Sequence, residues 1–492
     1  MPPAMDTAAF VKQIDKLPGY RGQVVHVERL KARRARYGKL DRPLPPVLQS
    51  ALRDIGAGRL YSHQAQAINA VRAGQHVILS TGTASGKTLA YNVPVLEALL
   101  SSPRARALYL FPTKALAHDQ LRGLRELAED ALAQHGLGGR RFSTYDGDTP
   151  RGVRGRLRRE ASILLTNPDM LHLGILPNHT LWADFFTNLR FVVIDEAHVY
   201  RGVFGSHVGC VLRRLWRVCA HYGAAPQIIA CSATIANPGE HLRRLAGVEP
   251  VIVEDDSAPA GVRDFVLWNP PFVDRARTAR RSANIEAARV FAHLVQAGIR
   301  TIAFTRARRV AELILLYARR ILESDAAPPA GAGGVPLTDR VRAYRAGYRP
   351  EQRREIERGL RPGGGLLGVT ATSALELGID IGDLDASLLV GFPGTIASVW
   401  QQAGRAGRGT RHALSVLIAL DNPLDQYFMR HPGDLFGRSH EHALIDPGNP
   451  YILEQHLPCA AHEIPLSRGS EDGDQAYAAA PTSARAPRSP RR

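Results

Sequence analysis

Cysteine is scarce. The chain of 492 residues has four, Cys210, Cys219, Cys231 and Cys459, and no two form a Cys-x-x-Cys pair. No histidine pair completes a zinc spacing either. Neither a disulfide framework nor a zinc module is therefore expected, and the thiols read as reduced and buried. No apolar run approaches the roughly 20 residues that span a bilayer, so no membrane association is expected. The opening Met1-Pro2-Pro3-Ala4-Met5-Asp6 lacks a basic stretch followed by an apolar one. That argues against a secretory signal and makes the cytoplasm the expected compartment. No internal repeat is visible. Acidic residues are outnumbered: 46 Asp and Glu against 63 Lys and Arg leave a net charge of +17. The excess fits a polyanionic partner, or else a genome that favours arginine codons, and composition does not separate the two. Residues 29–36, 151–159 and Arg308-Arg309 are candidate basic tracks, and each also reads as a solvated helix face. A hydrophobic share of 45% and a charged share of 22% are ordinary for a water-soluble protein. The length suits two or three domains.

Against that background Thr81-Gly82-Thr83-Ala84-Ser85-Gly86-Lys87-Thr88 stands out. It follows the apolar run Val77-Ile78-Leu79 and leads into Leu89-Ala90-Tyr91, the start of a helical pattern. Small residues let backbone N–H groups wrap a phosphate chain, and the helix N-terminus adds partial positive charge. In such a loop Lys87 reaches the outer phosphates and the Thr88 hydroxyl ligates magnesium. Two positions depart from the strict P-loop pattern. Thr81 stands where Gly opens the loop, and Ala84 stands where many such loops carry Gly.

Further signals sit at strand ends. The continuous apolar run Phe191-Val192-Val193-Ile194 ends in Asp195-Glu196-Ala197-His198. A carboxylate there sits where doubly wound sheets place ligands. Asp195 can hold magnesium through water, and Glu196 can orient or deprotonate an attacking water. Ser232-Ala233-Thr234 follows the buried-strand run Ile228-Ile229-Ala230-Cys231. Thr370-Ala371-Thr372 follows Leu366-Leu367-Gly368-Val369, with Gly378-Ile379-Asp380 soon after. Last, Gln401-Gln402-Ala403-Gly404-Arg405-Ala406-Gly407-Arg408 sets two arginines three apart on one helix face, where their donor forks suit phosphate. Singly, each signal has a blander reading: an acidic turn, a helix cap, a basic surface turn.

In this order the motifs resemble the ATPase engine of superfamily 2 helicases. Within that superfamily the chain is similar to the YprA/MrfA group of bacterial DEAD/DEAH-box DNA helicases. The closer match lies in residues 195–238, including Tyr200-Arg201-Gly202-Val203-Phe204-Gly205-Ser206-His207-Val208. Leu60-Tyr61-Ser62-His63-Gln64 and Tyr145-Asp146-Gly147-Asp148-Thr149-Pro150 add to it. The resemblance runs from about residue 20 to about residue 465.

The resemblance implies an α/β fold of two tandem RecA-like parallel-sheet lobes with ATP and Mg²⁺ between them. It implies that Gln64 contacts adenine and that Gly378 and Asp380 border the nucleotide. It implies that Arg405 and Arg408 act as arginine fingers and that Gln401 helps position water. Nucleic acid would be gripped by Pro112, Thr113, Lys114, Thr166, Asn167 and Pro168 in lobe one, and by Thr305, Arg306, Thr370 and Thr372 in lobe two. Ser232 and Thr234 would couple ATP state to lobe motion. A monomer moving 3′→5′ on single-stranded or tailed duplex DNA, in repair, is the expectation. An RNA helicase, a translocase that does not separate strands, and an ATP-gated binding module without turnover are the alternatives. Relatives carry a cysteine-rich zinc-binding domain after the motor. Here only Cys459 follows the core, so no zinc is expected and unwinding of long duplexes is expected to be weak.

The expected organisation is an N-terminal extension over 1–55, lobe one over 56–250, a linker at Asn269-Pro270-Pro271 and lobe two over 272–430. The start of the family's C-terminal region follows at 431–465, then a disordered tail at 466–492. Within the extension, residues 30–37 read as a basic helix. Residues 326–336 read as a flexible insertion rich in Ala, Gly and Pro.

Overall fold

The computed structural model describes residues 6–466 except 134–140, 277, 325–334, 346, 362, 379–381, 383, 408 and 438–440; at 129–133 and 350 it describes the backbone alone. Most of the insertion at 326–336 and nearly all of the tail at 466–492 lie outside the described residues. In chain order the strands are β1 (Val24–Leu30), β2 (His76–Ser80), β3 (Arg106–Leu110), β4 (Phe142–Thr144), β5 (Ile163–Thr166), β6 (Leu189–Ile194) and β7 (Gln227–Ser232). They continue with β8 (Pro250–Val253), β9 (Arg263–Trp268), β10 (Thr301–Phe304), β11 (Val341–Tyr344), β12 (Gly368–Ala371), β13 (Ala386–Val390) and β14 (Ala413–Ile418).

These strands form two sheets. The first has the order β4-β5-β3-β6-β7-β2-β8, with every pair parallel. The second has the order β1-β9-β14-β13-β10-β12-β11, parallel except for β1, which runs antiparallel to β9. Parallel strands are covered on both faces, which is why the inner ones read as unbroken apolar runs. Val77, Ile78, Leu79, Val192, Val193 and Ile194 are all fully buried. In the first sheet β7 lies between β2 and β6. The P-loop, the Ser-Ala-Thr segment and the Asp-Glu pair therefore emerge side by side at the carboxyl edge.

The N-terminal extension is shared between the lobes. Phe10 and Ile14 pack in the core of lobe two, and β1 extends its sheet. Leu44, Leu48 and Leu52 pack in the core of lobe one. The basic helix expected at 30–37 does not form. Leu30 ends β1, and the chain beyond is extended, with isolated bridges from Arg33 to Ala260 and from Tyr37 to Tyr61. The cause is pairing with the 255–264 stretch. Arg29 bonds Asp264 at 2.6 Å, Arg33 bonds Asp256 at 2.8 Å, and Arg36 bonds Asp255. These three arginines are thus matched by carboxylates, with their side chains still partly exposed.

The chain passes from the first sheet to the second between Val253 and Arg263, ahead of the expected linker. Asn269 instead follows β9, where its N–H donates to Gln23 O. After lobe two the chain returns to lobe one. Helix Pro450–Glu463 packs there on helix Gly202–His221. Arg214 and Glu463, 0% and 1% exposed at their side chains, pair in that interface.

Candidate nucleotide site and nucleic-acid cleft

β2 delivers the loop 81–86 to the N-terminus of helix Lys87–Ser101. Gly86 caps that helix at φ 78°, and Ala84 sits at φ 60°. A left-handed alanine costs about 1–2 kcal/mol, so Ala84 stores strain where many such loops use glycine. Thr81 has a local use: its hydroxyl lies 2.8 Å from that of Ser85, both buried, tying the two sides of the loop. Lys87 Nζ donates to Thr81 O and Gly82 O, each at 2.8 Å. Gln64 bridges the loop and the helix before it. Its Nε2 donates to Gly86 O at 2.9 Å, and its Oε1 accepts from Tyr61 N at 2.8 Å. Beside it, Tyr37 stacks on Tyr61 and Tyr61 on His63, with Arg59 over the Tyr37 ring at 3.7 Å.

Asp195 and Glu196 follow β6 directly. The Tyr91 hydroxyl lies 3.2 Å from Asp195 Oδ2 and 3.2 Å from Gln120 Oε1, and Glu196 N donates to Asp195 Oδ1 at 2.9 Å. Burial and the adjacent Glu196 charge push the Asp195 carboxyl up to about 7. Two neighbouring acids in a buried pocket, with the Thr88 hydroxyl on the facing helix, make a hard-oxygen set that fits magnesium. His198 is held neutral: burial pushes it down to about 4. Its Nδ1 accepts from Ala233 N at 3.0 Å, so its proton sits on Nε2. Ser80, at the end of β2, donates to Ala233 O at 3.3 Å and accepts from Ile235 N at 3.4 Å. The Ser232–Thr234 segment is therefore bonded to both the P-loop strand and the acidic motif. Ser232 is buried, and its hydroxyl donates to Ala233 O.

Lobe two meets this surface through helix Ile396–Ala403. The Gln401 amide lies 2.6 Å from His198 Nε2. With its oxygen turned to the ring, it accepts the Nε2 proton. A Cβ on Gly404 would fall 1.9 Å from Thr83 Oγ1, and one on Gly378 would fall 2.7 Å from Leu116 and 3.3 Å from Glu196 Oε1. Both glycines permit the close approach of lobe two. Arg405 is buried, and its Nε donates to Glu376 O at 3.1 Å, while Gln402 Nε2 donates to Glu376 Oε2 at 3.0 Å. Arg408 and Asp380 lie outside the described residues.

A cleft of about 1260 Å³ runs between the lobes beyond the carboxyl ends of β3, β10 and β12. Thr113, Lys114, Arg306 and Thr372, expected to grip a strand, all line it. Arg122, Arg125, Arg308, Arg353 and Arg354 add positive charge. Lys114 Nζ is 3.1 Å from Asp148, an exposed partner that a phosphate could displace. Arg306 donates to Phe392 O. Pro112 and Thr305 lie beside the cleft in sequence without lining it. Thr305 donates to Ala307 O at 3.1 Å.

Other residues expected in the grip are engaged internally. The buried Thr166 hydroxyl donates to Tyr145 O at 2.6 Å, and the buried Thr370 hydroxyl donates to Ala311 O at 2.9 Å. Asn167 caps the turn that starts at Pro168, accepting from Met170 N at 2.8 Å.

The helix ends at Ala403, so Arg405 lies in the turn beyond it and not on the helix face expected for the two arginines. Two parallel-sheet lobes, with a P-loop and an acidic pair in one met by a glutamine-bearing helix from the other, define an ATP-dependent nucleic-acid motor fold. The DEAD/DEAH box helicase family matches residues 61–241, and the helicase conserved C-terminal domain matches residues 287–410. The winged helix domain of the ATP-dependent helicase HRQ1 matches residues 445–482. It starts inside the segment read as the opening of the C-terminal region and runs past residue 465.

The chain is 44% identical over 469 residues to the ATP-dependent helicase YprA of Bacillus subtilis, covering 95% of this chain and 60% of that protein. It is 40% identical to the ATP-dependent helicase hrq1 of Schizosaccharomyces pombe, covering 94% of this chain and 43% of that one. The structure of the helicase MrfA bound to DNA and AMPPNP matches with a TM-score of 0.86 at 43% identity, over 95% of this chain and 63% of that one. The chain thus spans about two fifths to three fifths of the length of these relatives. It belongs to the superfamily 2 DEAD/DEAH-box helicases, in the YprA/MrfA group.

Several residues at the site escaped the sequence reading. Tyr91 and Gln120 lie inside helices Lys87–Ser101 and Lys114–Ala133, outside any motif. Tyr37 and Arg59 precede the glutamine motif, and an aromatic ahead of Gln64 was the available signal. Glu376, one helical turn after Thr372, had none.

Proposed function

We propose that the chain is an ATP-driven motor that moves along single-stranded DNA in the 3′→5′ direction and separates tailed duplexes in DNA repair. The observation that carries this reading is the bond between His198 and Gln401. It joins the segment that follows the acidic pair of lobe one to helix Ile396–Ala403 of lobe two, which leads into Arg405, so nucleotide chemistry and lobe closure share one contact. The MrfA structures, with DNA in two of them and 43% identity across both lobes, support DNA as the strand.

In this mechanism Lys87 turns from the loop carbonyls onto the outer phosphates of ATP, while Gln64 holds the loop beside adenine. Thr88 and Asp195 would hold Mg²⁺, which would supply positive charge against the phosphates. Glu196 orients and deprotonates the attacking water. Arg405 and Arg408 stabilise the charge that develops on the transferred phosphoryl, a contribution of roughly three to five decades in rate in related hydrolases. Ala233 N, His198 and Gln401 pass the state of the site to lobe two. There Arg306 and Thr372 grip the strand opposite Thr113 and Lys114. Alternating closure moves the strand between these grips, which contact its backbone and carry no base sequence.

The test is ATP hydrolysis with single-stranded DNA, RNA or neither, followed by separation of duplexes tailed at either end. Stimulation by DNA, lost in Lys87→Ala, is expected. Stronger stimulation by RNA would overturn the DNA assignment, and exclusive use of 5′ tails would overturn the direction.

A further inference from the structure

Residues 441–447 follow lobe two in the chain yet lie along lobe one, on the segment just after Ser232-Ala233-Thr234. Ala236 N donates to Glu441 O at 3.3 Å, Ala443 N donates to Asn237 Oδ1 at 2.8 Å, and Gly202 N donates to Leu444 O at 2.8 Å. From this seat the Glu441 side chain reaches into lobe two. Its carboxylate accepts from Ile396 N at 2.5 Å and Ala397 N at 3.2 Å, the first two amides of helix Ile396–Ala403. The Thr395 hydroxyl takes the next free amide, Ser398 N, at 3.1 Å. The opening amides of a helix have no partner within it, and a carboxylate there is also favoured by the helix dipole. This helix is 8 residues long. Glu441 holds its start, and its last turn carries Gln401, the contact to His198.

We infer that Glu441 is a positioning residue for ATP turnover: the 441–447 strap transmits the state of the Ser232–Thr234 segment of lobe one to Gln401 and Arg405 of lobe two. The inference rests on the motor reading above. A short helix moves as a rigid piece, so freeing its first turn displaces its last. Loss of such a cap shifts an equilibrium about 2- to 30-fold. Glu441 touches neither the P-loop nor the acidic pair, so the effect falls on turnover and spares nucleotide affinity.

The experiment uses the full chain and steady-state ATP hydrolysis at saturating oligo-dT. Glu441→Ala is expected to lower kcat about 3- to 30-fold with KM for ATP held within about twofold, and Glu441→Gln, which keeps one acceptor oxygen, falls between it and the parent. Asn237→Ala loosens the strap on lobe one by removing the acceptor for Ala443 N, while the bonds at Ala236 N and Gly202 N remain; it leaves the helix cap untouched and is expected to lower kcat in the same direction. The double variant loses no more than the worse single, because both cuts sever one link. Melting curves identify any variant that fails to fold, and the Glu441 pair stands without Asn237→Ala. A kcat within about twofold of the parent in Glu441→Ala, kcat and KM changing together, or additive losses in the double would each overturn the inference. Failure of the motor reading has a separate sign, the absence of DNA-stimulated hydrolysis in the unaltered protein, and the inference falls with it.

Discussion

Replacing Gln401 by alanine removes the acceptor for His198 Nε2. Both residues are nearly buried, Gln401 at 5% and His198 at 8% exposure. The ring cannot turn to compensate, because its Nδ1 is already taken by Ala233 N. Nor does protonation help, since burial holds the imidazole neutral down to about 4. The Nε2–H is therefore stranded whenever the lobes are closed, and a stranded buried donor costs about 1–3 kcal/mol. The donor is hydrated when the lobes part, so the whole cost falls on the closed state, whose population drops about 5- to 150-fold. Steady-state hydrolysis at saturating ATP and DNA should fall by that range, while ATP binding, governed by Lys87 and the loop, changes little. His198→Ala should lose a similar amount, and the double variant little beyond the worse single. A Gln401→Ala protein that keeps turnover within about twofold refutes the relay. Additive losses would instead give the two residues separate tasks, as expected if Gln401 only positions water.

The Glu463→Ala change strands Arg214, whose Nε donates to Glu463 Oε2 at 3.0 Å in a fully buried site. Breaking a buried pair in this way costs about 3–5 kcal/mol, which should release helix Pro450–Glu463 as faster amide exchange there, and unchanged protection would contradict it. The same helix should loosen in acid. His456 is pushed by burial down to about 4 from 6.5, so the detached segment binds more protons than the docked one between those values. Docking therefore weakens as pH falls from about 6.5 to about 4 and is indifferent to pH above that window, as intrinsic-rate-corrected exchange can check. In the cleft, Lys114→Ala and Arg306→Ala should each weaken DNA binding alike for all sequences and lower the salt slope by about 1. An unchanged slope would remove that residue from the phosphate path.

Legibility in the sequence followed distance along the chain. The P-loop and Asp195-Glu196 could be read because each is a contiguous motif at the end of an apolar strand, where a parallel sheet puts its ligands. The partner of His198 could not, because Gln401 lies 203 residues away and only the closed lobes bring them together. Thr166 and Thr370 have the residue type and strand-end position of strand-gripping threonines. Yet an inward rotamer spends each hydroxyl on a carbonyl, and no motif reports a rotamer. The strand Val24–Leu30 was masked by the basic stretch that begins at its end. Its positions alternate between half-buried and exposed with none buried, and what fixes it is Asp264 on a strand far ahead. Glu441 had no local signal at all, since capping across lobes leaves no spacing in the chain.

The sharing of chain ends between lobes bears on how the protein is made. β1 is synthesised well before β9 but belongs to its edge, about 240 residues later. At about 5–20 residues per second, it waits roughly 10 to 50 seconds for its neighbour to emerge. During that time lobe one can complete its sheet, but β9 arrives with one edge that β14 takes later and another that only β1 covers. A fragment cut at the crossing between lobes would leave β9 with no strand on that side, and an unpaired edge of this kind recruits other chains. The two lobes are thus interlaced at both ends, and the motor is expected to be obtained whole or to aggregate in pieces.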